Sequence, residues 1–162
     1  MVIVLMGVSG AGKTTIGLLL ASRLGWPFHD ADDLHSDANK QKMARGVPLT
    51  DADRKPWLDA IRDLISTILE NNSDAVIACS ALKQSYRDEI VIDPAQVKIV
   101  FLKGRRELIA QRIAHREHHF MSKDLLNSHL DTLEEPRDAM VVDIDASPEA
   151  IVDKIASEMR LE

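Results

Sequence analysis

One octapeptide constrains this chain more than any other stretch: Gly7-Val8-Ser9-Gly10-Ala11-Gly12-Lys13-Thr14. It follows the apolar run Val2-Ile3-Val4-Leu5-Met6 and precedes a helical pattern with Ile16, Leu19, Leu20 and Leu24 on one face. This is G-x-x-x-x-G-K-[ST] in the strand–loop–helix setting that its chemistry requires. Small residues let several backbone N–H groups converge on one concavity, which suits a phosphate anion. The following helix adds its own unpaired N–H groups and the positive end of its dipole. Lys13 is spaced to reach the β- and γ-phosphates of a nucleotide, and the Thr14 hydroxyl to ligate Mg²⁺. The expected nucleotide contacts are Gly7, Ser9, Gly10, Ala11, Gly12, Lys13, Thr14 and Thr15.

The remaining chain alternates short apolar runs with helical patterns, the signature of β–α units around a parallel sheet. Strands are expected at 2–6, 26–29, 75–79, 97–102 and 140–144. Gly25 reads as the stop of the first helix, and Ser36 as the cap of a short helix running to Arg45. Asp51 or Asp53 caps the next, with Pro56 in its first turn if Asp53 is the cap. Trp57, Leu58, Ile61, Leu64, Ile65 and Ile68 then make an apolar stripe, in which Trp57 reads as core. The segment 115–136 is polar and rich in His, and reads as a mobile insert with its own short helix. Ser147 or Pro148 starts the last helix, and the adenine contacts are expected from the loop near Ser147. The fold class is α/β: a three-layer α/β/α domain with a five-stranded parallel sheet, spanning residues 1–162 as one unit. Its ligand belongs beyond the carboxyl ends of the strands.

Charge and composition exclude several partners. A formal net charge of −6 disfavours nucleic acid as the main partner. The apolar start is too short to span a membrane and runs directly into the phosphate loop. The single cysteine, Cys79, makes no internal disulfide and reads as a buried strand residue. With no secretory or lipidation signal in view, the expected location is the cytoplasm.

Beyond the loop, Asp30 and Asp32 follow the second strand. One is suited to accept a proton from an attacking hydroxyl, and either to touch water on Mg²⁺; the competing role is a helix-capping acidic turn. Arg54, Lys83 and Arg87 are the cations expected to hold an anionic acceptor, with Lys83 and Arg87 on one helical face. Arg112 and Arg116 share another face at the entrance to the insert, where a closing lid brings Arg to the phosphoryl group. His115, His118 and His119 lack the Cys or carboxylate partners that would complete a standard metal site. No N-K-x-D follows the loop, and the strand at 75–79 ends in Cys79-Ser80 instead of an acid. The second Mg²⁺ contact is therefore left to Asp32 or water.

These residues together resemble the gluconokinase family. The resemblance is carried by residues 7–14, by Asp30-Ala31-Asp32-Asp33-Leu34-His35, and by the block from Lys42 to Leu58. Cys79-Ser80-Ala81-Leu82-Lys83-Gln84-Ser85-Tyr86-Arg87-Asp88 and Arg116-Glu117-His118-His119-Phe120-Met121 continue it. The resemblance implies ATP- and Mg²⁺-dependent phosphorylation of D-gluconate to 6-phosphogluconate. It implies a nucleoside-monophosphate-kinase-like fold related to shikimate kinase, with a lid and often a homodimer. By the match, Lys13 and Thr14 take the phosphate and Mg²⁺ roles, and Asp32 the base position. His35, Arg54, Lys83 and Arg87 fall in the acceptor blocks, and Arg112 and Arg116 in the lid. Relatives commonly have Gly before the lid histidine, where this chain has His118. The alternatives are a kinase of another small anion such as shikimate, and a nucleotide-dependent switch without a transfer step.

Overall fold

The computed structural model describes residues 1–115 and 123–161. Five strands form one sheet: β1 (Val2–Met6), β2 (Phe28–Asp30), β3 (Ala75–Ala78), β4 (Val97–Lys103) and β5 (Met140–Asp143). Their order is β2-β3-β1-β4-β5 and every pairing is parallel. β1 is central, with Val4 in register with Ile77 on one side and Ile99 on the other. All five of its residues are buried, as a parallel strand covered on both faces requires.

Side-chain alternation along β1 divides the core. Ile3 and Leu5 point into a layer formed by Ile16, Leu20 and Ala21 of α1 (Lys13–Leu24) and Ile151, Val152 and Ile155 of α7 (Pro148–Met159). Val2, Val4 and Met6 point the other way, against Trp57, Leu58, Ile61 and Ile65 of α3 (Asp51–Glu70) and Tyr86 and Ile90 of α4 (Gln84–Ile90). The expected three layers are present. α2 (Asp37–Ala44), α5 (Arg106–Ala114) and α6 (Lys123–Thr132) complete the helices, α6 being the short helix expected within 115–136. Among the described residues no helix is long and apolar enough to cross a membrane.

Local chemistry explains the boundaries and corrects some of them. Gly25 closes α1, its N–H bonding back to Ala21 and Ser22 carbonyls. Leu19 is exposed, because the buried face of α1 runs through Ile16, Gly17, Leu20 and Ala21. Ser36 and Ser147 cap α2 and α7 as expected, accepting the N–H groups of Asn39 and Ala150 at 3.2 Å each. Neither Asp51 nor Asp53 caps α3. Thr50 does: its Oγ1 accepts the Asp53 N–H at 3.1 Å, and the Asp53 carboxylate accepts the Thr50 N–H at 2.9 Å. Pro56 consequently sits in the second turn, where it leaves the Ala52 carbonyl without its helical donor. Replacing Thr50 by Ala should cost about 1 kcal/mol, lowering the melting temperature by roughly 2–4 °C, while Thr50→Ser stays near the parent. Thermal unfolding of the two variants checks the assignment.

Candidate active site

The phosphate loop leaves the carboxyl end of β1 and turns on two glycines. Gly10 and Gly12 have φ of +82° and +93°. Residues with a Cβ rarely adopt such angles, and a Cβ on Gly10 would lie 2.8 Å from Ile113 Cγ1. Gly12 immediately precedes α1, so the open N–H groups of that helix face the loop. Lys13 Nζ donates to the carbonyls of Gly7 at 2.9 Å and Val8 at 3.0 Å, folding the ammonium over the loop.

The opposite wall begins where β2 ends. The Asp30 carboxylate accepts the Thr14 hydroxyl at 3.1 Å and the Asp32 N–H at 3.0 Å. The carboxylate beside Thr14 is thus Asp30; the sequence leaves the second Mg²⁺ contact to Asp32 or water. Asp32 follows in a 3₁₀ turn over residues 31–34. Surrounding protein mass raises its pKa, the Lys13 ammonium opposes the rise, and Asp30 and Asp33 add to it. The turn is tied down from below: Trp57 Nε1 donates to the Ala31 carbonyl at 2.7 Å. Trp57 is 2% exposed, in keeping with a core role. Its ring is stacked by His35 at 4.4 Å between centroids and 9° between planes. Burial, with Arg54 and Lys40 nearby, pushes the His35 pKa down to about 4.

One cavity gathers Lys13, Thr14, Asp30, Asp32, His35 and Arg54, with Trp57 in its wall. Arg54 is aimed by its neighbours. Nη1 donates to the Leu49 carbonyl at 2.6 Å and to the Tyr86 hydroxyl at 3.3 Å, and the guanidinium lies 5.5 Å from the Tyr86 ring centroid. Tyr86 in turn donates to Asp51.

Two of the expected acceptor cations do not line this cavity. Lys83 is the residue before α4, not within it, and pairs with Asp51 at 2.9 Å. Arg87, 3% exposed, donates from Nη1 to the carbonyls of Ala81 at 2.8 Å and Leu82 at 3.1 Å and from Nη2 to the Glu134 carbonyl at 2.8 Å and Gln84 Oε1 at 2.9 Å, while Nε has no partner among the described residues. Ala81 has φ +43°, a costly angle for a residue with a side chain, and Arg87 braces it. Sequence spacing put Lys83 and Arg87 on one face; the helix start and the bonding of the Arg87 guanidinium separate them.

On the other flank of the loop, Gly12, Thr15, Arg112, His115, Ala146 and Pro148 line a second groove, beside the loop that carries Ser147. Arg112 Nη2 donates to the Ile144 carbonyl at 2.7 Å. Arg116, His118 and His119 lie outside the described residues. Among the described residues no cluster of three or more His, Cys, Asp or Glu is arranged for a metal ion. Cys79 is buried, and its thiol pKa is pushed up to about 12, so it is inert. The sequence missed His129, which reaches the cavity from α6 and accepts the Ser9 N–H. The two are 120 positions apart, and no spacing rule relates them.

A family model described as shikimate kinase matches residues 9–160. The chain is 47% identical over 136 residues to the gluconokinase of Gluconobacter oxydans (strain 621H), covering 84% of this chain and 76% of the relative. A crystal structure of a gluconokinase from Sinorhizobium meliloti 1021 superposes with a TM-score of 0.84 at 40% identity, covering 98% of this chain and 94% of the other. The chain belongs to the gluconokinase family. It also falls within the wider group that the shikimate kinase model covers. The unliganded crystal structure of a sugar kinase from Janibacter sp. HTCC2649 matches the same architecture, with a TM-score of 0.92 at 40% identity over 99% of this chain and 94% of that one. The phosphate loop, the Asp30–Asp32 turn and Arg54 therefore meet in one cavity of a gluconokinase-family fold.

The two neutral histidines make stability depend on pH. His35 and His129 have folded pKa values of about 4, below the ordinary 6.5. Between these values the unfolded chain binds more protons, so stability rises as pH rises from about 4 to 6.5, by at most about 1.4 kcal/mol per pH unit per histidine. His35→Phe keeps a ring on Trp57 and removes one titration. Its unfolding free energy should show a shallower pH slope in this window than the parent; equal slopes would mean that His35 does not titrate as described.

Proposed function

We propose that this chain transfers the γ-phosphoryl group of ATP to D-gluconate, giving 6-phospho-D-gluconate and ADP. The observation that carries the reading is the shared cavity: Lys13, Asp32 and Arg54, distant in sequence, line one space. The extended identity to gluconokinases supports the choice of acceptor. One observation favours a second acceptor, the match to the shikimate kinase model, and the assay below includes it.

The roles follow from position. The loop amides from Gly10 to Thr15 cradle the phosphates, the Ser9 N–H being held by His129, and Lys13 leaves the carbonyls of Gly7 and Val8 to follow the charge on the γ-phosphoryl group. Arg54 holds the acceptor carboxylate, with His35 beside it on the Trp57 wall. Asp32 takes the proton of the attacking hydroxyl late, as the new P–O bond forms and the bond to the β-phosphate oxygen breaks. An upward-shifted carboxylate next to an ammonium suits that task. The Thr14 hydroxyl and the Asp30 carboxylate are adjacent hard oxygen donors, which suits Mg²⁺, an ion that keeps several waters and binds phosphate oxygens. When bound there, Mg²⁺ neutralises phosphate charge. Lys83 and Arg87 act at one remove, Lys83 through Asp51 and Tyr86, Arg87 through the Ala81 turn. Arg112 serves the nucleotide flank, and Arg116 the lid over 115–136. Residues 1–162 work as one kinase domain. A homodimer is part of the same reading and rests on the family resemblance.

Coupled ADP-release assays with gluconate, shikimate, other sugar acids and nucleoside monophosphates test the acceptor. Gluconate should give the fastest turnover; none above the ATPase background would sink the reading. Lys13→Ala should reduce kcat by about 10²-fold or more. Asp32→Asn should lower kcat far more than it weakens ATP binding, and equal losses would count against a base. Asp30→Asn should raise the Mg²⁺ concentration needed for half-maximal rate, with the acceptor KM little changed.

A further inference from the structure

Helix α6 brings to the cavity a polar group that the roles above leave unused. His129 shares the cavity wall with Lys13, Asp32, His35 and Arg54. Its Nδ1 accepts the Ser9 N–H at 3.3 Å. A ring nitrogen that accepts carries no proton, so in the neutral imidazole the proton sits on Nε2. Burial beside the Lys13 and Arg54 cations keeps the ring neutral, with its pKa down at about 4. Among the described residues Nε2 has no protein partner. It is a neutral N–H donor on a residue that lines the cavity.

In this structure the helix that carries the donor is held against the core. Leu126 anchors α6 in the core. Beyond the helix, Glu134 donates its N–H to the Leu82 carbonyl at 2.8 Å and accepts the Gln84 N–H at 2.8 Å. The Ser9 bond then sets the rotation of the ring. Because the two ring nitrogens diverge, docking Nδ1 on the phosphate loop leaves Nε2–H pointing away from that amide, in a cavity that His35 and Arg54 also line. Lys13 and Arg54 already supply positive charge there. A polyhydroxy acid needs directional partners for its hydroxyls as well, and a neutral donor adds direction without further charge.

We propose that His129 is an acceptor-binding residue, whose Nε2–H donates to an oxygen of the sugar acid while Nδ1 stays docked on the Ser9 amide. The proposal rests on the gluconate reading above. No bond is made or broken at His129; the residue orients the acceptor for the hydroxyl that Asp32 deprotonates.

The test sets His129→Phe and His129→Gln against the parent, with KM and kcat for ATP and gluconate measured separately. Gluconate binding is also followed without turnover, through the fluorescence of Trp57 in the cavity wall. Phe keeps a flat ring but neither polar atom. Gln offers a carbonyl oxygen to Ser9 and an N–H to the acceptor. The Phe variant should weaken gluconate roughly tenfold to a hundredfold, the loss expected when a donor to a charged or hydroxylated ligand is removed, with the ATP KM changed by less than about threefold. Gln should recover most of the loss. Should the Phe variant fail to fold, His129→Ala is read by the same ratio of gluconate to ATP effects. The proposal falls if the gluconate constant moves by less than about twofold, or if the ATP constant rises as much as the gluconate constant, which would mean that His129 acts only through the loop. A parent that turns over no gluconate overturns the acceptor reading and this proposal with it; an active parent with an unshifted variant overturns this proposal alone.

Discussion

A parallel sheet obliges every loop that follows a strand to emerge on the same rim, and the site depends on that constraint. β1, β2 and β3 all point their carboxyl ends to one edge. The phosphate loop leaves β1, the Asp30–Asp32 turn leaves β2, and Ser80 follows β3, so they converge without any long-range design beyond strand direction. Backbone amides come from one loop and carboxylates from the next, a few ångströms apart. The Thr14–Asp30 bond is the direct sign of that meeting.

Parallel pairing in turn depends on burial of both sheet faces. β1 serves two layers with alternate side chains, and each layer supplies part of the site. α1 sits on one face and carries Lys13 and Thr14. α3 sits on the other and carries Arg54 at its start and Trp57 one turn later. The Trp57 indole is therefore both core and scaffold: it fills the layer beneath Ala31 and holds the acid turn by a hydrogen bond. Packing and chemistry share one side chain here, which is why the acid turn keeps its place with only four residues of 3₁₀ helix.

Polar groups away from the reacting atoms form a second tier. Asp51, Tyr86 and Lys83 are not on the cavity wall, yet through Tyr86 they hold Arg54, which is; Arg87, also off the wall, braces the turn that follows Ser80. Arg87 satisfies carbonyls in a turn that its own backbone angles disfavour, and the Asp51–Tyr86 pair holds Arg54 from behind. Such residues occupy the same sequence blocks as those that line the cavity, so a block-level resemblance carries them over with the same weight. The burial of Arg87 is what separates the two tiers.

The local elements were legible because their causes are local. The glycine loop, the apolar strands, the Ser36 and Ser147 caps and the stripe of α3 each depend on residues a few positions apart, and spacing reports them. The three layers and the strand-end site follow from alternating β–α units. Thr50 went unread as a cap because two acidic residues follow it within the first turn, and only the reciprocal bonds with Asp53 decide among them. What the amino-acid order alone determined is the phosphate-binding chemistry, the α/β class and the family. Tertiary structure decided which carboxylate meets Thr14, which cations face the cavity, and that His129 docks on Ser9. These are contacts between segments 16 to 120 residues apart, set by how layers pack, and no periodicity along the chain encodes them.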